Sequence, residues 1–100
     1  MSATRGSTKE RVSDKVKEPK QYEVVMHNDD FTTMEFVVEV LTDIFHKDRG
    51  TAEALMLDVH NKGSAVVGRY AYDIAVTRTN KAMSRAKENG FPFRMTIREA

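Results

Sequence analysis

Three neighbouring residues, Asn28, Asp29 and Asp30, offer amide and carboxylate oxygens in one short stretch, and His60 offers a ring nitrogen further along the chain. These are the acceptors that a protonated amine needs, and hydrogen bonds between charged partners are the strong ones. The plainer reading is an Asx turn joining a strand to a helix, its carboxylates favoured by the helix dipole. On the motif alone the turn is the commoner outcome. His60 taken alone is more often a surface or helix-end residue. His27, Asp29, Asp30 and His60 match no metal-ligand spacing, and the chain has no cysteine to assist, so no metal and no other cofactor is expected.

A second set of residues carries no charge. Met26, Met34, Val37, Leu55, Met56 and Val59 recur around the same stretches. Helix packing accounts for most of them. Six methionines in 100 residues are nevertheless many, and methionine suits sites that accept several shapes. A pocket where the first strand meets two helices is one reading of this set.

No catalytic constellation emerges. There is no nucleophile elbow and no glycine-rich phosphate loop. Asp29 and Asp30 are adjacent in sequence and so are poorly placed to face each other across a substrate. The expectation is a protein without enzymatic activity.

Elements must position these residues. Tyr22 to His27 is rich in strand formers and ends in the Asn-Asp-Asp turn. Thr32 and Glu35 have the spacing of a capping box, with Phe31 and Phe36 as a hydrophobic staple. A helix then runs from Met34 to about Lys47, with Phe36, Val37, Val40, Leu41, Ile44 and Phe45 on one face. Arg49-Gly50 breaks it. Thr51 can cap a second helix that stops at Gly63, with Ala52, Leu55, Met56 and Val59 inward. Ala65 to Val67, extending to Tyr70, reads as a strand, and Gly68 within it marks a bulge or a close backbone approach. Tyr72 to Asn89 forms a third helix whose thin stripe is Ile74, Ala75, Ala82, Met83 and Ala86, stopped by Gly90 and Pro92. Phe93 to Arg98 alternates apolar and polar as a surface strand.

The predicted fold is α+β: a single two-layer domain, β-α-α-β-α-β, with a three-stranded antiparallel sheet packed against helices. Residues 1–20 read as a flexible, mildly basic N-terminal arm, and residues 21–100 as the folded core. The arm contains Arg and Ser, as transit peptides do, but its acidic residues and lack of an amphipathic stripe argue against one. No apolar run approaches a bilayer-spanning length and no signal-peptide core is visible, so a cytoplasmic location is expected. A formal net charge of +1 gives no electrostatic case for nucleic acid.

Tyr22 to Val38, which includes Asn28-Asp29-Asp30-Phe31-Thr32-Thr33-Met34-Glu35-Phe36, strongly resembles the opening of the ClpS family. So do Ala54 to Gly63, with Met56-Leu57-Asp58-Val59-His60, and Gly68-Arg69-Tyr70 leading to Asp73-Ile74-Ala75. The blocks occur in the family's order across residues 21 to 98. The resemblance implies an adaptor that binds N-degron peptides and proteins, meaning substrates with a destabilising N-terminal Phe, Tyr, Trp or Leu. It would deliver them to an AAA+ unfoldase of the ClpA or ClpC type that feeds ClpP.

Carried over by position, Asn28, Asp29 and His60 would bind the substrate's α-amino group, while Asp30 and Thr32 shape the loop and reach the first peptide unit. His60 can accept that bond only when its ring is neutral. Met34 matches a gatekeeper against branched side chains, and Met26, Val37, Met56 and Val59 would line the pocket. Asp73, Thr77 and Arg78 match the unfoldase-contacting surface. Thr33 departs from the family, which often has Pro there at the first helical position. The expected partners are substrate and unfoldase, with no nucleic acid and no membrane, and the adaptor would act as a monomer. The rival class is a non-enzymatic regulatory or ribosome-associated module of similar shape, in which the acidic loop is structural.

Overall fold

The computed structural model describes residues 19–100. The expected arm, apart from Pro19 and Lys20, lies outside them. The element order is β1 (Tyr22–His27), α1 (Met34–Asp43), α2 (Arg49–Lys62), β2 (Ser64–Tyr70), α3 (Tyr72–Glu88) and β3 (Arg94–Glu99). This is the predicted β-α-α-β-α-β order. The sheet is antiparallel throughout, with strand order β2-β1-β3.

The first strand is central because it is the most apolar. Val24, Val25 and Met26 are all buried, whereas each edge strand buries a single residue, Val67 in β2 and Met95 in β3. Val24 and Met26 join the main core, where they meet Phe36, Val40 and Leu41 of α1, Ala52 and Val59 of α2, and Ala75, Ala82 and Ala86 of α3. Small residues on α3 let that helix lie close to the sheet. On the other face, Glu23 accepts from Arg98 Nε at 2.8 Å and Arg69 Nε at 3.2 Å, joining all three strands through one carboxylate.

Gly68 behaves as expected. The β1–β2 register shifts between Val24 and Val25, so Val67 is the extra residue of a bulge. A methyl group on Gly68 would lie 2.6 Å from the Tyr70 hydroxyl, so the ring occupies the space that any side chain would need. Arg78 stands over that ring, 5.1 Å from its centroid.

Four local expectations are corrected. The cap of α1 is Thr33, whose hydroxyl accepts from Phe36 N at 3.1 Å; Thr32 is not the cap. Thr32 instead donates its hydroxyl to Asp29, which removes it from capping. Phe31 is 76% exposed and makes no staple. Thr33 thus sits one place before the first helical residue and supplies an oxygen that proline lacks.

The cap of α2 is Asp48, one turn before the expected Thr51. Its carboxylate takes both Thr51 N (3.2 Å) and Thr51 Oγ (2.6 Å). Finally, α1 stops at Asp43, short of Lys47. His46 adopts a left-handed φ of 58° and Lys47 N returns to Leu41 O at 3.0 Å, which closes the helix without glycine.

Candidate functional site

The loop between β1 and α1 is held at both ends. Asn28 N donates to Gly63 O at 2.9 Å, which ties the end of β1 to the end of α2. Gly63 can make that turn because its φ is 93°, a left-handed value that suits glycine. This bond brings the loop alongside His60, three residues before Gly63.

Asp29 organises the rest. Its Oδ1 accepts from Phe31 N (2.8 Å) and Thr32 N (2.7 Å), and its Oδ2 accepts from Thr32 Oγ (2.7 Å). Burial pushes the carboxyl upward in pKa, but these three bonds outweigh it and hold the group below its ordinary value. The Asx-turn reading therefore describes the loop. A carboxylate has about four acceptor directions, so one direction of Oδ2 remains unfilled.

Beneath the loop lies a cavity of about 200 Å³. Its apolar wall is Met26 from β1, Met34 and Val37 from α1, and Met56 and Val59 from α2. Its polar rim is Asn28, Asp29, Asp30, Thr32 and His60. The ten residues carried over as the amine site and pocket meet around this one space, whereas Leu55, grouped with them from the sequence, packs against the core instead. The ten come from four segments: β1, the loop after it, α1 and α2. Met34 and Val37 are one turn apart on α1, as are Met56, Val59 and His60 on α2.

Two lining residues went unrecognised as pocket residues. Phe93 closes the space and is buried, braced by Phe36 with ring centroids 5.8 Å apart. Its alternation with Met95 placed it on the inward face. The β1–β3 register pairs His27 with Arg94, the residue after Phe93, and that pairing brings Phe93 to the site. His27 also lines the cavity, and its Nε2 shares a 2.8 Å hydrogen bond with Thr96 Oγ1.

The His27 ring is held below its ordinary pKa, first by burial and then by the Arg94 charge. The unfolded chain therefore takes up this proton before the folded one. Stability from His27 is complete above about pH 6.5 and declines as pH falls through the lower folded value. Asp29 and Asp48, both held low by hydrogen bonds, add a second decline in the carboxylate range. Urea midpoints measured between pH 7 and pH 5 are expected to fall, and less steeply for His27→Gln. Equal slopes for both proteins would show that the His27 environment does not contribute.

Asp73, Thr77 and Arg78 lie elsewhere. They line a wide depression on α3 beside Asp43 and His46, and it shares no lining residue with the cavity. Asp73 and Thr77 are exposed, whereas Arg78 is half-buried over Tyr70. Among the described residues no three His, Asp or Glu side chains converge as metal ligands, and no helix is long and apolar enough to cross a membrane.

Known proteins share this arrangement. The family model for the ATP-dependent Clp protease adaptor protein ClpS matches residues 17–96. The ClpS adapter protein of Syntrophus aciditrophicus is 49% identical over 86 residues, covering 86% of this chain and 80% of that protein. The one from Clostridium acetobutylicum is 45% identical over 85 residues, covering 85% and 84%. Among solved structures, Agrobacterium tumefaciens ClpS2 bound to L-phenylalaninamide superposes with a TM-score of 0.80 at 40% identity, covering 83% of this chain and all of that one. Fold, sequence and coverage agree, so the chain belongs to the ClpS family, the non-enzymatic adaptors of the ATP-dependent Clp protease.

Proposed function

We propose that this adaptor binds proteins through a free N-terminal Phe, Tyr, Trp or Leu, working as a monomer in the cytoplasm. The observation that carries the reading is one cavity with an apolar wall and an acceptor-rich rim. The side chain of the first residue enters among Met26, Met34, Val37, Met56, Val59 and Phe93. The α-ammonium rests at Asn28, the open direction of Asp29 Oδ2, and His60. Asp30 and Thr32 form the adjoining rim, where the first peptide unit passes. Phenylalaninamide, the molecule bound to the Agrobacterium relative, has the same two parts: a free amine and an apolar ring.

The energetics favour this division of labour. An α-amino group has a pKa of roughly 7.7–8.0 and is mostly charged at neutral pH. Burying one large apolar side chain contributes roughly 1.5–3 kcal/mol, and each charged hydrogen bond about as much. After the cost of association, micromolar affinity is the natural order of magnitude. An acetylated or internal residue offers no ammonium, so the rim tells a chain end from a chain middle.

The depression at Asp73, Thr77 and Arg78 is the docking surface for an AAA+ unfoldase of the ClpA or ClpC type. Its separation from the cavity supports this, since an adaptor must hold cargo and unfoldase together.

Fluorescence anisotropy with two labelled peptides, identical except for a free or acetylated N-terminal Phe, tests the cavity. The free peptide is expected to bind with a Kd of micromolar order and the acetylated one about a hundredfold more weakly. Equal affinities would remove the amine from recognition.

A further inference from the structure

The chain has no cysteine, so methionine sulfur is its softest oxidisable group. Methionines differ sharply in access. Met26 and Met95 are buried in the core at 0% and 3% exposure. Met34 is 49% exposed, at the start of α1. It lines the substrate cavity on one side and the groove between α1 and α2 on the other, so its thioether is approachable from both. Met56 lines the same two spaces but is half-buried.

We propose that Met34 is a reversible sulfoxidation site for hydrogen peroxide, and that its oxidation weakens the adaptor's grip on N-terminal aromatic residues. The inference rests on the cavity being the residue-binding site. The step is a two-electron oxygen transfer. A sulfur lone pair attacks one peroxide oxygen, the O–O bond breaks, and an S–O bond forms. After proton transfer the other oxygen leaves as water. Sulfur is oxidised and peroxide is reduced.

The product places a polar, chiral S–O group where the wall had an apolar, polarisable atom in contact with the incoming ring. The fold does not depend on that atom. The helix cap is the Thr33 hydroxyl, and the core side chains Phe36, Val40 and Leu41 do not line the cavity. Methionine sulfoxide reductases reduce such a product, one enzyme for each epimer. A surface methionine at a recognition wall therefore makes cargo binding responsive to peroxide without unfolding the carrier.

The test treats the full folded chain with dilute hydrogen peroxide, maps the gained oxygen by peptide mass spectrometry, and measures affinity for a free N-terminal Phe peptide. Among the methionines of the described residues, Met34 is expected to gain oxygen first, with Met26 and Met95 unmodified. Affinity is expected to fall by about three- to tenfold and to recover after both reductases. Met34→Leu, compared only with its own untreated affinity, is expected to lose none under the same treatment. If oxidised Met34 leaves affinity unchanged, or if Met34→Leu loses as much as the parent, the proposal fails while the pocket reading stands. If the untreated chain does not bind the peptide, the pocket reading fails and takes this one with it.

Discussion

Asp29→Ala is expected to weaken binding of a free N-terminal Phe peptide by about a hundredfold while lowering stability by only about 1 kcal/mol. Two losses combine in the binding figure. The open direction of Oδ2 disappears, and with it a charged partner for the ammonium. The Phe31 and Thr32 amides and the Thr32 hydroxyl also lose their acceptor, so the rim loses its shape. The stability cost stays small because the loop is solvated and the cap of α1 belongs to Thr33.

Asp29→Asn separates the two losses. Its amide oxygen can still accept from the Phe31 and Thr32 amides, but the negative charge is gone. It is expected to bind more weakly than the parent and more tightly than Asp29→Ala. Anisotropy titrations read the affinities, and urea denaturation reads the stability. Parental affinity in both variants would assign Asp29 to the turn alone.

Leu41→Ala is expected to cost about 2–5 kcal/mol of stability, or roughly 8–40 °C in Tm at about 4–8 °C per kcal/mol. Leu41 is fully buried and among the largest such side chains, at the centre of the α1 face that meets the sheet. Truncation leaves a cavity that the surrounding helices and sheet can fill only partly. Leu57→Ala is the control: that side chain is half exposed on α2, and its loss is expected to change stability by less than about 0.5 kcal/mol. Thermal melts followed by circular dichroism compare the two. A Leu41→Ala loss no larger than that of Leu57→Ala would contradict the packing described above.

Much of the fold was legible because periodicity reports burial. Val24 and Met26, Phe36, Val40 and Leu41, and Ala75, Ala82 and Ala86 sat at the spacings that their elements require. Boundaries were less legible, because several residues competed for each one. Thr32 and Thr33 both suit a cap, and the choice turned on which hydroxyl Asp29 claimed. His46 ended α1 through a backbone conformation that its residue type does not announce. Val38 and Thr79 lie buried although the expected stripes omitted them, and Ile74, placed in the α3 stripe, is 42% exposed.

The sequence by itself determined the element order, because that depends on residue type and local spacing; the apolar pocket and its acceptor rim were what the ClpS resemblance implied, and Phe93 was missing from that set. The tertiary structure alone decided that these residues share one space. The Asn28–Gly63 bond carries the loop to the end of α2, and the β1–β3 pairing of His27 with Arg94 brings Phe93 to the cavity. Both contacts join residues at least 35 positions apart, and no local pattern encodes pairings between such distant segments. They form only when burial of the shared core brings β1, α2 and β3 together.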